Sequence, residues 1–275
     1  MRRIGISAAF ILAVILSGAG CASQPVATDS DAATDLPAPF IDQKANSILR
    51  QMSDFLGSQD RLAFTGNQLI DAVLEDGQKL QYGRSGRLTL KRPDQLRVEF
   101  QGDDIRRSVV YDGDTISMCD HKEGVYATTE GHETVDATLD YMSQELGVEL
   151  PLADIIADSA FESLVTEATA GHYVGMHQVD GVECHHLAFT EPLVDWQIWI
   201  ESGGRPVPRK LVITYKDTDS RPQFIGFLND WEFTPPVTYD TFVFVPPDNA
   251  EEISFYRDFI AHVRSESTGI EQQQP

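Results

Sequence analysis

Val194-Asp195-Trp196-Gln197-Ile198-Trp199-Ile200-Glu201 swings between apolar and mostly polar residues, and Lys210-Leu211-Val212-Ile213-Thr214-Tyr215 repeats the rhythm a few positions later. Successive side chains of an extended chain point to opposite faces, so this alternation describes strands with one buried face. Trp196, Ile198 and Ile200 fall on one face, and Leu211, Ile213 and Tyr215 on the matching face of the next strand. Trp199 shares the other face with Asp195, Gln197 and Glu201. An aromatic residue on a polar face either marks a contact surface or is an ordinary isolated apolar residue.

The pattern extends both ways. Upstream, Asp180-Gly181 joins two runs that begin at Tyr173, and Gly accepts the positive φ that a two-residue hairpin turn demands. Downstream, residues 223–233 are apolar and aromatic, and residues 241–245 read as the last strand. Nearer the N-terminus, residues 62–74 and 80–90 flank a turn centred on Asp76-Gly77. Leu96, Val98 and Phe100 alternate with charges, Asp112-Gly113 marks another hairpin, and residues 125–128 follow Glu123-Gly124. Six strands joined by short turns form an antiparallel meander.

Helical spacing appears in two places. Ile41, Ala45, Ile48, Leu49, Met52, Phe55 and Leu56 make one apolar stripe, closed by Gly57. Between the two sets of strands, Val135, Leu139, Met142 and Leu146 share a face, with Thr134 as cap and Gly147 as stop. Pro151 suits the first turn of a second helix, and Ser159 through Glu162 reads as a capping box opening a third. The fold class is mainly antiparallel β with helices (α+β). About eleven strands are too many for a flat open sheet, so the sheet is expected to curve, with the helices plugging its concave side.

Arg2 and Arg3, an apolar run over residues 4–16, and Ser17-Gly18-Ala19-Gly20-Cys21 make a secretory signal peptide over residues 1–20. Cys21 sits where a bacterial lipoprotein carries its lipid, resembling the lipobox of signal peptidase II substrates but with Gly18 in place of the usual large apolar residue. Ordinary cleavage after Ala22 is the competing reading. Residues 21–39 are a polar tether, 40–258 the folded domain, and 259–275 a polar, disordered tail. The expected location is the periplasm, with anchoring to the inner face of the outer membrane if Cys21 is lipidated.

The chain carries 43 acidic and 21 basic residues, a net charge of -22. That surface repels phosphate backbones, and with no basic patch to offset it nucleic acid is excluded as a partner. Signatures of serine hydrolases, zinc proteases and nucleotide-binding loops are absent from the sequence. No enzyme activity and no cofactor are expected.

Val73-Leu74-Glu75-Asp76-Gly77-Gln78-Lys79-Leu80-Gln81, Lys91 through Val98, Glu149 through Asp154, Tyr173-Val174-Gly175, Asp180-Gly181-Val182, Cys184 through Leu187, Asp195 through Ile200 and Pro208 through Lys216 together resemble the predicted periplasmic proteins of domain of unknown function 2092. The likeness runs from about residue 41 to about residue 255. It implies a fold of the LolA, LolB and LppX type, a half-open β-barrel closed by helices whose known members hold acyl chains. The expected function is therefore binding of a lipid, acyl chain or lipoprotein in a concave apolar cavity. The alternative is an anchored assembly protein that recruits a protein partner through a sheet edge or groove.

Trp196, Ile198, Ile200, Leu211, Ile213 and Tyr215, with Leu139, Met142 and Leu146 opposite, are the cavity candidates. They line a pocket or simply fill a core; the pattern is the same for both. A two-residue turn at Asp180-Gly181 sets His177 opposite Cys184, with His186 on the same face. Cys184, His177 and His186 are metal-ligating residue types, but they lack a fourth ligand, so no metal is assigned. Cys119 and Cys184 are expected about three strands apart, as two buried thiols rather than a disulfide. Arg205 through Lys210 is a basic turn, suited to anionic headgroups or merely a solvated hairpin tip.

Overall fold

Asp42 starts the first helix by accepting hydrogen bonds from the backbone N–H of Lys44 at 2.7 Å and Ala45 at 3.3 Å. The cap satisfies donors that the first turn leaves without partners. In this computed structural model residues 40–74, 76–145 and 152–255 are described. The signal peptide, Cys21 and the tether, the stretch between the first two helices of the central insertion with Leu146, Gly147 and Pro151, and the C-terminal tail lie outside them.

The strands are β1 (Phe40–Ile41), β2 (Arg61–Val73), β3 (Lys79–Lys91), β4 (Gln95–Gly102), β5 (Arg106–Tyr111), β6 (Thr115–Asp120), β7 (Val125–Glu130), β8 (Ala170–Val179), β9 (Val182–Thr190), β10 (Val194–Glu201), β11 (Pro208–Tyr215), β12 (Gln223–Glu232) and β13 (Glu251–Glu252). The helices are α1 (Gln43–Gly57), α2 (Val135–Gln144), α3 (Ala153–Ile156) and α4 (Ala160–Val165). All thirteen strands among the described residues belong to one open sheet, in the order β1-β8-β9-β10-β11-β12-β2-β3-β4-β5-β6-β7-β13. Two antiparallel meanders, β2 to β7 and β8 to β12, are fused where β12 pairs with β2.

The hairpin turns sit where glycine was read to require them. Gly77, Gly113 and Gly181 all have positive φ, and Asp180 joins Gly181 in the left-handed region, as a primed two-residue turn requires. The strand count exceeds the expected eleven because two short parallel strands close the edges: β1 pairs with Ala170 and Gly171 of β8, and β13 with Val125 and Tyr126 of β7. Residues 241–245 are not a strand. Tyr239–Phe242 forms a 3-10 turn capped reciprocally by Thr238 and Thr241, and prolines on both sides withhold the donors that a ladder needs.

Helices α1, α3 and α4 pack on one another, and α1 lies against β8 and β10. Ala45, Ile48, Leu49, Met52 and Leu56 form its buried stripe. Ser53, also buried, accepts from the Phe161 backbone N–H at 2.9 Å, locking α4 to α1. Thr134 caps α2 as read, accepting from Ala137 N–H. Ser159 precedes α4, but its side chain makes no capping bond, so the capping-box reading fails. Arg92, in the β3–β4 turn, pairs with Asp158 and donates to the Ile156 carbonyl at 2.8 Å, tying that end of the sheet to the helices.

Candidate functional site

The register of β10 against β11 places Trp196 opposite Ile213, Ile198 opposite Leu211 and Val194 opposite Tyr215. This is the helix-bearing face of the sheet. Trp196, Ile198, Ile200, Leu211 and Ile213 are fully buried there, Leu139 and Met142 of α2 are buried, and Tyr215 is half-buried. All belong to one apolar cluster that takes in α1, α3 and α4. Phe189 stacks on Trp196 with ring centroids 4.1 Å apart. In this part of the face the helices leave no open surface.

The same face behaves differently along β2, β3 and β4. Near the helices its residues are sealed: Leu62 and Phe64, Leu90 and Leu88, and Leu96. Toward the other end they become partly exposed: Ile70 on β2, Tyr82 and Leu80 on β3, and Phe100 on β4. Pairing of Ile70 with Tyr82 and of Gly86 with Phe100 keeps these side chains on the one face. Gly86 has no room for a side chain, since a Cβ there would lie 2.4 Å from the Glu99 carbonyl oxygen.

Two ion pairs flank this stretch. Arg84 grips Asp104 at 2.5 Å, and Arg107 meets Asp120 at 2.9 Å with both side chains almost wholly buried. Burial by itself would raise both carboxyls. The guanidiniums and backbone N–H donors outweigh it and hold both below the ordinary carboxylate range.

At the same end of the strands, but several strands away across the sheet, stands Glu191, in the β9–β10 turn, only 2% exposed. It accepts from Trp196 Nε1 at 2.6 Å. Desolvation pushes its carboxyl up from 4.5 to about 7, reinforced by the neighbouring Glu167 and Asp154 carboxylates and opposed by the indole and Lys216. Nothing in the sequence around it singles out this glutamate.

On the far face His177 lies opposite Cys184, as the turn dictates. His177 Nδ1 and His186 Nδ1 approach to 3.0 Å, and His186 Nε2 meets Gln197 Oε1 at 3.0 Å. Trp199 is no isolated exposed ring, because it stacks on His186 at 4.0 Å. Cys184 turns instead toward the Val182 carbonyl, and burial pushes its thiol up to about 11. The three residues do not assemble as ligands: among the described residues no group of three or more His, Cys, Asp or Glu side chains could hold a metal ion.

Cys119 and Cys184 are both buried and free. They are much further apart than the expected three strands. β10, β11, β12, β2, β3, β4 and β5 lie between their strands, because β12 joins the front of the first meander and not its end.

Beyond Gly171 the outer edge of β8 has no strand partner among the described residues. Val174 and Met176 on that stretch are 48% and 40% exposed, and a register shift falls between Tyr173 and Gly175. No helix among the described residues is long and apolar enough to cross a membrane.

Several solved structures are similar to the chain. An uncharacterized conserved protein from Thermus thermophilus aligns at 9% identity and a TM-score of 0.46, covering 77% of this chain and 99% of that one. LprF from Mycobacterium bovis aligns at 11% identity and 0.41, covering 78% and 100%. A LolA superfamily protein from Nitrosomonas europaea aligns at 12% identity and 0.38, covering 72% and 97%. No curated protein sequence matches the chain. A family model described as "Predicted periplasmic protein (DUF2092)" matches residues 45–256, nearly the whole of the sheet and its helices, and the chain belongs to that family.

Proposed function

We propose that this is a non-enzymatic envelope protein that holds an acyl chain on the helix-bearing face of a half-barrel sheet. The observation that carries the reading is the gradient of burial along β2, β3 and β4. An apolar face sealed by helices at one end continues into Ile70, Leu80, Tyr82 and Phe100, which remain partly exposed. Ligand sites are mostly apolar, with a few polar groups that fix orientation, and the Arg84–Asp104 pair stands beside this stretch. Trp196, Ile198, Ile200, Leu211 and Ile213 are the closed floor of the same trough, Tyr215 is half-buried at its margin, and Leu139 and Met142 belong to the same buried cluster. A longer chain would reach them only by displacing the helices. Lipidation of Cys21 would keep the domain at the membrane whose acyl chains it handles, and the intact mass of the chain isolated from its own cells reports that lipid directly.

The test is titration of the purified chain with a fluorescent fatty acid. Saturable binding is expected, weakened about tenfold, or roughly 1.4 kcal/mol, by Phe100→Glu, a change that a half-exposed site accommodates in the fold. No saturable binding by the unsubstituted chain ends the proposal.

The β8 edge favours a second reading, capture of a protein partner by strand addition. Its unpaired stretch with exposed Val174 and Met176 is what supports it. A stoichiometric protein, in place of acyl-bearing molecules, would then accompany the chain through purification.

A further inference from the structure

Where the β10–β11 hairpin meets the end of β12, a cavity of about 330 Å³ is lined by Glu201, Arg205, Val207, Arg209, Trp231 and Phe233 together with Asn229 and Asp230. It lies at the end of the sheet near the α1 C-terminus, since Phe233 packs edge-on against Phe55 of α1 at 5.0 Å and Trp231 lies 4.5 Å from Phe64. That is the end remote from the partly exposed stretch of β2 to β4, so the inference does not depend on the acyl-chain reading.

We infer that this cavity binds a small organic anion, a carboxylate or phosphate group carried on an apolar body. Neither arginine has a carboxylate at hydrogen-bond distance among the described residues. Arg209 Nε is buried with no hydrogen-bond partner, and its Nη1 stands 3.7 Å from Glu201, an ion pair beyond hydrogen-bond reach. Arg205 makes no ion pair among the described residues. In a chain with 43 acidic residues against 21 basic ones, two guanidiniums lining one concavity, neither hydrogen-bonded to a carboxylate among the described residues, are conspicuous. A carboxylate or phosphate group meets the planar guanidinium fork at hydrogen-bond distance, which the 3.7 Å contact with Glu201 does not reach.

Two acidic residues also line the cavity: Glu201, 3.7 Å from Arg209, and Asp230. Asp230 is occupied, accepting from the Thr65 hydroxyl at 2.7 Å. Val207, Trp231 and Phe233 supply an apolar wall. Trp231 has its Nε1 committed to the Pro208 carbonyl at 3.1 Å, so it offers a ligand only ring surface. A bare inorganic anion would leave that wall in water, which is why an apolar body is part of the inference.

The experiment is calorimetric titration of the full chain with benzoate, phenyl phosphate and inorganic phosphate, with Trp231 fluorescence as a second readout. Saturable binding of benzoate or phenyl phosphate, tighter than inorganic phosphate, is expected, and whichever binds better identifies the anionic group. Arg209→Gln should weaken it at least tenfold, and Arg209→Lys should not restore it, because an ammonium cannot present the fork. Arg61→Gln, on the exposed start of β2, should leave it unchanged. Should Arg209→Gln unfold the chain, Arg205→Gln at the exposed hairpin tip makes the same test. Absence of binding by both organic anions, equal binding of inorganic phosphate, or binding indifferent to both arginine substitutions overturns the inference.

Discussion

Raising the pH from 5 to 8 is expected to cost the folded protein about 2.5 kcal/mol through one side chain, Glu191, and Glu191→Gln should abolish most of that loss. The carboxyl is buried against Trp196 and titrates at about 7 in the folded protein, against 4.5 when solvated. In the unfolded chain it gives up its proton at the lower value, so between the two values the folded state holds more protons. Stability therefore falls as pH rises from 4.5 to 7 and is level beyond. A little under two pH units of this span fall between pH 5 and 8, at about 1.36 kcal/mol each, and set the magnitude. Glutamine keeps an oxygen for the indole N–H to bond and cannot ionise, so the variant should outlast the parent in urea at pH 8 and match it at pH 5. Parallel stability curves for the two proteins across this range would refute the assignment. A titration near pH 7 in the emission of Trp196, absent from the variant, provides an independent check.

The contrast between local and long-range features explains what could be read from the sequence. Strands β2 to β12 follow from alternation, and the hairpin turns from Asp-Gly pairs whose glycines do adopt positive φ. Each of these is settled within a dozen residues. The pairing of β12 with β2 is not, because residues 223–232 carry no mark of their partner across some 150 positions. That one unseen ladder displaced Cys119 from Cys184. The edge strands β1 and β13 escaped notice for a related reason: two residues are too few to show a period. Residues 241–245 misled in the other direction, since apolar residues suggested a strand while the surrounding prolines forbade its ladder.

The proposed ligand face was half legible. Trp196, Ile198, Leu211 and Ile213 announced which side of the sheet is apolar, but whether helices seal an apolar surface is a matter of tertiary packing that alternation does not encode. Ile70, Tyr82 and Phe100 carry the same pattern as the sealed residues and differ only in what covers them. The cavity beside Arg209 was glimpsed as a basic turn, while its aromatic wall comes from a different strand. Glu191 was invisible, because burial of a turn residue follows from where the turn is folded against the rest.

Asp120→Ala should destabilise the protein by about 3–5 kcal/mol, the cost usual for removing one member of a buried ion pair. Asp120 Oδ2 takes the Arg107 Nε donor, while Oδ1 accepts from the backbone N–H of Lys122 at 3.0 Å and Glu123 at 3.1 Å, so one carboxylate both neutralises a buried cation and holds the β6–β7 turn. Asp120→Asn keeps an oxygen for the turn but not the charge, and should fall between the two. Urea unfolding at pH 7 measures all three, and a loss below about 1 kcal/mol for the alanine variant would mean that the pair adds little over solvation. The pH dependence runs opposite to that of Glu191. A carboxyl held below its ordinary 3.8 by Arg107 and the turn donors stabilises the fold above that value, and the contribution is lost as pH falls beneath it. Asp104 acts in the same sense through Arg84. With aspartates failing below about 4 and Glu191 charging toward 7, maximal stability should lie near pH 5. The double variant Asp120→Asn with Glu191→Gln should flatten the curve on both sides, because the two sites share no partner and their effects should add.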